Sequence, residues 1–178
     1  PNAPSTKFRL GSITKQFTAA SILLLEERGR LSTADPIKKH LPDAPATWEA
    51  ITIHHLLTHT SGIPNFTGMK EYAALRGTST TVDKTIAVFR DRPLDFPVGE
   101  KMSYSNSGYL VLGHLIEKLS GGSYEAFVQA NLFTPIGMTD FQEGVPVRGD
   151  DVFRPNTWHS IELNAKAKVP EWGGQEVQ

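Results

Sequence analysis

The chain has 178 residues, 39% hydrophobic and 21% charged, a balance suited to one soluble domain long enough to bury a real core. Its 18 basic and 19 acidic residues leave a net charge of −1, which gives no electrostatic case for nucleic acid or an anionic membrane surface. The lack of Cys excludes disulfides, thiolate metal sites and cysteine nucleophiles, and the longest apolar run, Ile22 to Leu25 with its alanine-rich lead, falls far short of the roughly 20 residues of a membrane span.

In chain order, the first predicted helix runs from Ser12 to about Arg28 and stops at Gly29. Phe17, Ala19, Ala20, Ile22, Leu23, Leu24 and Leu25 make it apolar on every side, the pattern of a helix running through a core. Leu31 to Pro36 reads as a turn into a short helical piece carrying Ile37 and Leu41, closed by Pro42. Thr52 is a good N-cap for Ile53 to Thr58, whose Ile53, Leu56 and Leu57 share one face. After a loop at Ser61-Gly62 and Pro64-Asn65 come a short helix around Tyr72 to Leu75 and another led in by Thr81-Val82-Asp83 and ending at Phe89. Asp91 to Met102, broken by Pro93, Pro97 and Gly99, is predicted to be extended and turn-rich. A long helix then spans Tyr109 to Leu119 and stops at Gly121-Gly122, and Ser123 caps a further helix carrying Tyr124, Phe127, Val128 and Leu132. Residues 141 to 178 show little periodicity of either kind. The expectation is a six- or seven-helix assembly over residues 1–140, almost without strand signal, followed by a divergent tail over 141–178.

Chemistry enters with Ser12 and Lys15, which lie one helical turn apart on one face. A serine hydroxyl needs a neighbour to take its proton before it can attack an acyl carbonyl, and a lysine serves only where burial or nearby positive charge brings its amine from about 10.4 toward neutrality. At a helix start, unpaired backbone N–H groups also favour a developing negative charge. The competing reading is a Ser N-cap followed by a solvated lysine, leaving a non-catalytic helical binding or interaction module. His55 and His59 have the i, i+4 spacing of a zinc pair, with His54 adjoining, but the pattern lacks the H-E-x-x-H glutamate and a third ligand, so neither a metal nor another cofactor is expected.

Several segments together resemble the serine β-lactamase and penicillin-binding-protein-like superfamily, in the branch of class C β-lactamases, D-aminopeptidases and family VIII carboxylesterases. Phe8 to Lys15 is similar to the nucleophile motif of that branch, and Tyr104-Ser105-Asn106 is similar to its Tyr-x-Asn motif. Ile51 to Ile63, Pro97-Val98-Gly99-Glu100, Gly108-Tyr109 and Pro135 to Asp140 also fit, in the same order along the chain. The resemblance implies an α+β fold of the β-lactamase/transpeptidase type and an acyl-enzyme at Ser12 formed from a small-molecule ester, β-lactam or D-amino peptide. It implies that Lys15 and Tyr104 share the proton work, because a positive neighbour favours phenolate. Asn106 would hydrogen-bond Lys15 and a substrate amide, and the Ser12 backbone N–H would form half of an oxyanion hole. Without the resemblance, Tyr104 reads as a core-edge aromatic and Asn106 as an N-cap before Tyr109.

The family's third motif, a Lys-Thr-Gly or His-x-Gly triplet supplying the second oxyanion donor, has no good copy here. Trp172-Gly173-Gly174 is the nearest match. Strands ahead of the nucleophile and most strands after it are also expected to be missing, so that this chain is predominantly α-helical. Because the chain opens on Pro1 and reaches Ser12 almost at once, it reads as a truncated member, and with half of the oxyanion hole absent it is expected to show weak or no turnover. The flank of Ile22 to Leu25 left without a sheet would then invite self-association. The resemblance leaves the compartment open, since relatives work on both sides of the cytoplasmic membrane.

Overall fold

The computed structural model describes residues 7–9, 11–75, 81–138, 142–143 and 161–164. Six α-helices lie among them: α1 (Thr14–Glu27), α2 (Ile53–Leu57), α3 (Lys70–Leu75), α4 (Val82–Ala87), α5 (Asn106–Ser120) and α6 (Tyr124–Val128). The predicted caps act as expected. Thr52 and His55 form a reciprocal capping box at α2, Thr81 accepts from the Lys84 N–H at α4, and Ser123 accepts from the Ala126 N–H at α6. Gly121 closes α5 in the left-handed conformation. Past α6 the chain continues through a wider π turn, Gln129–Phe133, and a 3-10 turn, Thr134–Ile136.

The core forms around α5, which packs against α1, α2, α4 and α6. Its residues Ser107 to Gly113 are all buried, as are Leu115 and Ile116, so its first two turns are enclosed on every side. Gly108 lies against α2, where a β-carbon would sit in ordinary contact with the Leu56 carbonyl oxygen at 3.5 Å. A second focus is aromatic: Phe89 stacks on Trp48 and on Phe66 at centroid distances of 6.1 and 5.8 Å, and Phe66 meets Tyr72 edge-on.

Three expectations need correction. The helix at the start of the chain is not enclosed all round: α1 buries Thr14, Lys15, Thr18, Ser21, Ile22 and Leu25, while Ala20 and Leu23 are exposed. α5 and α6 cover only one flank of it, so the uncovered apolar surface is narrower than the whole Ile22 to Leu25 run. Secondly, α5 starts at Asn106 rather than Tyr109, with Ser105 in the N-cap position, so Asn106 is a helical residue and not the cap. Thirdly, strand is present on both sides of the helices. β1 (Lys7–Arg9), β2 (Gln142–Glu143) and β3 (Ile161–Asn164) make an antiparallel sheet in the order β1-β3-β2, with Phe8 opposite Leu163 and Gln142 opposite Glu162. A strand therefore does precede Ser12, and the stretch after residue 140 supplies its partners. Segments of two to four residues are too short to display a period of two. No helix among the described residues is long and apolar enough to cross a membrane.

Candidate active site

Ser12 sits in a 3-10 turn, Gly11–Ile13, that feeds directly into α1, and Lys15 is the second residue of that helix. Tyr104 and Asn106 come from the other side, at the entry to α5. The two sides meet because α1 packs on α5, and the segment that carries Tyr104 and Asn106 is fixed by a seam between residues 59–65 and 95–107. Along it the Asp95 N–H donates to the Gly62 carbonyl at 2.8 Å, the Gly99 N–H to Thr60 at 2.8 Å and the Ser103 N–H to His59 at 2.9 Å. The Ser105 hydroxyl donates to the Ile63 carbonyl at 3.1 Å and the Ser107 hydroxyl to the Pro64 carbonyl at 2.6 Å. Gly62 has φ +75°, and a side chain there would collide with the Phe96 carbonyl oxygen, so only glycine lets the two stretches come this close.

The four residues singled out from the sequence converge. Ser12 Oγ and the Tyr104 hydroxyl are 2.5 Å apart, at the short end of the O–H···O range. Lys15 Nζ donates to Ser12 Oγ at 3.4 Å and to Asn106 Oδ1 at 2.8 Å. The Asn65 side-chain oxygen accepts from both the Asn106 backbone N–H at 3.2 Å and its Nδ2 at 3.3 Å, which turns Oδ1 of Asn106 toward the lysine. Lys15 lies under the rings of Tyr104 and Tyr109, 4.8 and 5.4 Å from their centroids, and is only 9% exposed. Ser12 and Tyr104 are open to solvent, Tyr104 at 44%. The charge is thus covered while the two oxygens face outward.

Electrostatics sharpen this arrangement. Burial by itself would raise the Tyr104 phenol, but hydrogen bonding with Lys15 and Ser12 and the charge of the lysine outweigh it, so the group ionises below the ordinary tyrosine value of 10.0. Tyr109, more enclosed and facing Tyr104, moves the opposite way. Burial, then the charge on Lys15, lowers His59 below 6.5. A hydroxyl touching a phenol whose ionisation is favoured by a covered cation is equipped to lose its proton and attack an electrophile.

Residues 1–170 match the family described as Beta-lactamase. The chain belongs to the Beta-lactamase family. Its relatives include a penicillin-binding protein of Bacillus subtilis, 38% identical over 143 residues, which covers 79% of this chain and 31% of the relative. Among solved structures, a penicillin-binding protein from Bacillus halodurans is similar with a TM-score of 0.76 and 28% identity, covering 92% of this chain and 58% of that one. A D-amino acid amidase from Ochrobactrum anthropi SV3 complexed with L-phenylalanine amide is similar with a TM-score of 0.78 and 26% identity, covering 92% and 53%. The chain spans about a third of the length of the curated relatives it matches. This Beta-lactamase family chain therefore has the β-lactamase/transpeptidase-like fold, and among its described residues it is helix-rich with few strands, as expected from its sequence.

Two other expectations meet the structure here. His55 and His59 do not share a helix face, because α2 ends at Leu57 and His59 has φ +60°. The His55 Nδ1 serves the Thr52 cap and the His59 Nδ1 accepts from the Ser105 N–H at 3.2 Å. Among the described residues no group of three or more His, Cys, Asp or Glu could hold a metal ion. Trp172-Gly173-Gly174 lies outside the described residues. Asn65 is the supporting residue that the sequence marks only as part of a loop; His59 and Tyr109 fall within the family-like segments Ile51 to Ile63 and Gly108-Tyr109, but their contacts with the Tyr104 segment and Lys15 run across 40 or more positions and are not visible in either segment.

Proposed function

We propose that this chain carries the acylation centre of a serine acyl hydrolase. Ser12 Oγ attacks the carbonyl carbon of an ester, β-lactam or D-amino peptide while its proton passes to the Tyr104 phenolate. The Lys15 ammonium holds that phenolate and Asn106 holds the lysine. The Ser12 backbone N–H donates to the oxyanion as the carbonyl π bond opens. Tyr104 then returns the proton to the departing oxygen or nitrogen, leaving an ester on Ser12. Water, losing a proton to the same phenolate, attacks the ester carbon, and Tyr104 passes that proton to Ser12 Oγ as the acyl–oxygen bond breaks, which frees the acid and restores the phenolate. The observation that carries this reading is the 2.5 Å contact between Ser12 Oγ and the Tyr104 hydroxyl, with Lys15 Nζ within 3.4 Å of the serine. The names of its relatives, penicillin-binding protein and D-amino acid amidase, favour amide-type substrates, and Asn106 offers an amide group to meet them.

The test is labelling with a fluorophosphonate and with a penicillin, followed by intact mass. One adduct per chain is expected, absent from Ser12→Ala. No adduct in the unaltered chain, or one that survives Ser12→Ala, would favour the non-catalytic binding module instead.

A further inference from the structure

Tyr104 is held from both sides by a single residue that precedes it by many positions. The N–H before it in the chain direction, on Ser103, donates to the His59 carbonyl at 2.9 Å, and the N–H after it, on Ser105, donates to the His59 Nδ1 at 3.2 Å. The ring of His59 also lies against the Tyr104 ring at 4.7 Å and against Tyr109 at 5.0 Å. His59 is the one described non-glycine residue with positive φ, at +60°. That conformation is strained for a residue with a β-carbon, and such strain persists where the surroundings impose it. It sends the carbonyl and the ring of one residue to two successive amides of the same short segment.

We propose that His59 is a positioning residue for the reaction: by accepting both flanking N–H groups and packing on the ring, it fixes the Tyr104 hydroxyl on Ser12 Oγ. This deepens the acyl-hydrolase reading and rests on it. The role requires Nδ1 to be the unprotonated nitrogen, with any proton of the neutral ring on Nε2. Displacement of a reacting group by about 1 Å can cost roughly 100-fold in rate, so loss of this clamp acts on acylation rather than on probe binding.

Two substitutions that both tolerate positive φ separate position from backbone strain. His59→Gly keeps the turn but removes acceptor and ring, whereas His59→Asn keeps the turn and offers its Oδ1 to the Ser105 N–H. With a fluorophosphonate of fixed structure, the maximal acylation rate of His59→Gly is expected to fall at least about 10-fold with little change in the half-saturating concentration, and His59→Asn to regain much of it. Equal maximal rates in the folded Gly and Asn variants, or a Gly variant as fast as the unaltered chain, would overturn the proposal. Should the Gly variant fail to fold, nitrogen chemical shifts of His59 in the unaltered chain decide: Nδ1 bare and Nε2 protonated at neutral pH is expected, and a protonated Nδ1 refutes the clamp. Failure of the unaltered chain to label at Ser12 is a different result, which removes the acyl-hydrolase reading itself.

Discussion

α1 and α5 are the two long helices, and they divide the work in opposite ways. α5 buries a nearly continuous run from Ser107 to Gly113, apolar beyond its first turn, whereas α1 turns a row of polar groups inward and leaves Leu23 more than half exposed. On the buried face of α1, Thr18 meets the Tyr124 hydroxyl at 2.7 Å, Ser21 bonds back to the Phe17 carbonyl at 2.8 Å, and Lys15 meets Asn106. Polar atoms inside a protein need partners, so every inward group on α1 costs stability unless matched. α5 is the more deeply buried of the two, and on the proposed reading α1 gives up some apolar burial to hold Lys15 inside.

The contrast predicts where substitutions register. Lys15→Met on α1 should slow Ser12 labelling about 100- to 10,000-fold, the span of general acid–base assistance, with thermal unfolding as the control for folding. A labelling rate within a few-fold of the unaltered chain would show that the covered charge on α1 does no work. Next in size, Leu112→Ala on α5 should cost about 2–5 kcal/mol in urea unfolding, because Leu112 is fully buried. Leu23→Ala on α1 should stay within about 0.5 kcal/mol. If the two cost the same, the outer flank of α1 is covered in solution, by association of copies or otherwise, and dependence of the unfolding midpoint on protein concentration would distinguish the former.

Acid should have the smallest effect. Burial lowers His55, His59 and His114 below 6.5, with a further lowering from the neighbouring His54 for His55 and from Lys15 for His59. A group whose folded value is depressed binds its proton first in the unfolded state, so the stability linked to it is intact above 6.5 and is lost as pH falls through the folded value. The urea midpoint should therefore drop between pH about 7.5 and about 5.5. His59→Asn should reduce that drop, since one of the three groups is gone; an unchanged drop would assign it to the other two.

Local chemistry made the caps legible: Thr52, Thr81, Ser123 and Gly121 act where their side-chain oxygens, or the missing β-carbon, place them. Tyr104-Ser105-Asn106 carries no apolar period, which hides the start of α5, yet the helix begins at Asn106, directly after the extended Ser105. The burial of α1 is hidden for a related reason. Apolar content on all faces says that a helix can be buried, whereas the placement of its neighbours decides which faces are. Ser12 and Lys15 could be paired from spacing alone, and the resemblance brought in Tyr104 and Asn106. The supporting layer, His59 and Asn65, was not legible as such, because a positive φ on histidine and a twofold acceptor on asparagine follow from the seam and not from any local pattern.

The absent side chain of Gly62 has a reach beyond its own turn. Because bare backbone at that point nests against the Phe96 carbonyl, any larger residue acts as a wedge driven between two loops. The loop pushed away is the one that ends in the phenol, so the reactive oxygen would be carried off its serine with every atom of the chemistry still present. Loss of activity from such a change would look like a damaged catalyst and would be a fault of carpentry.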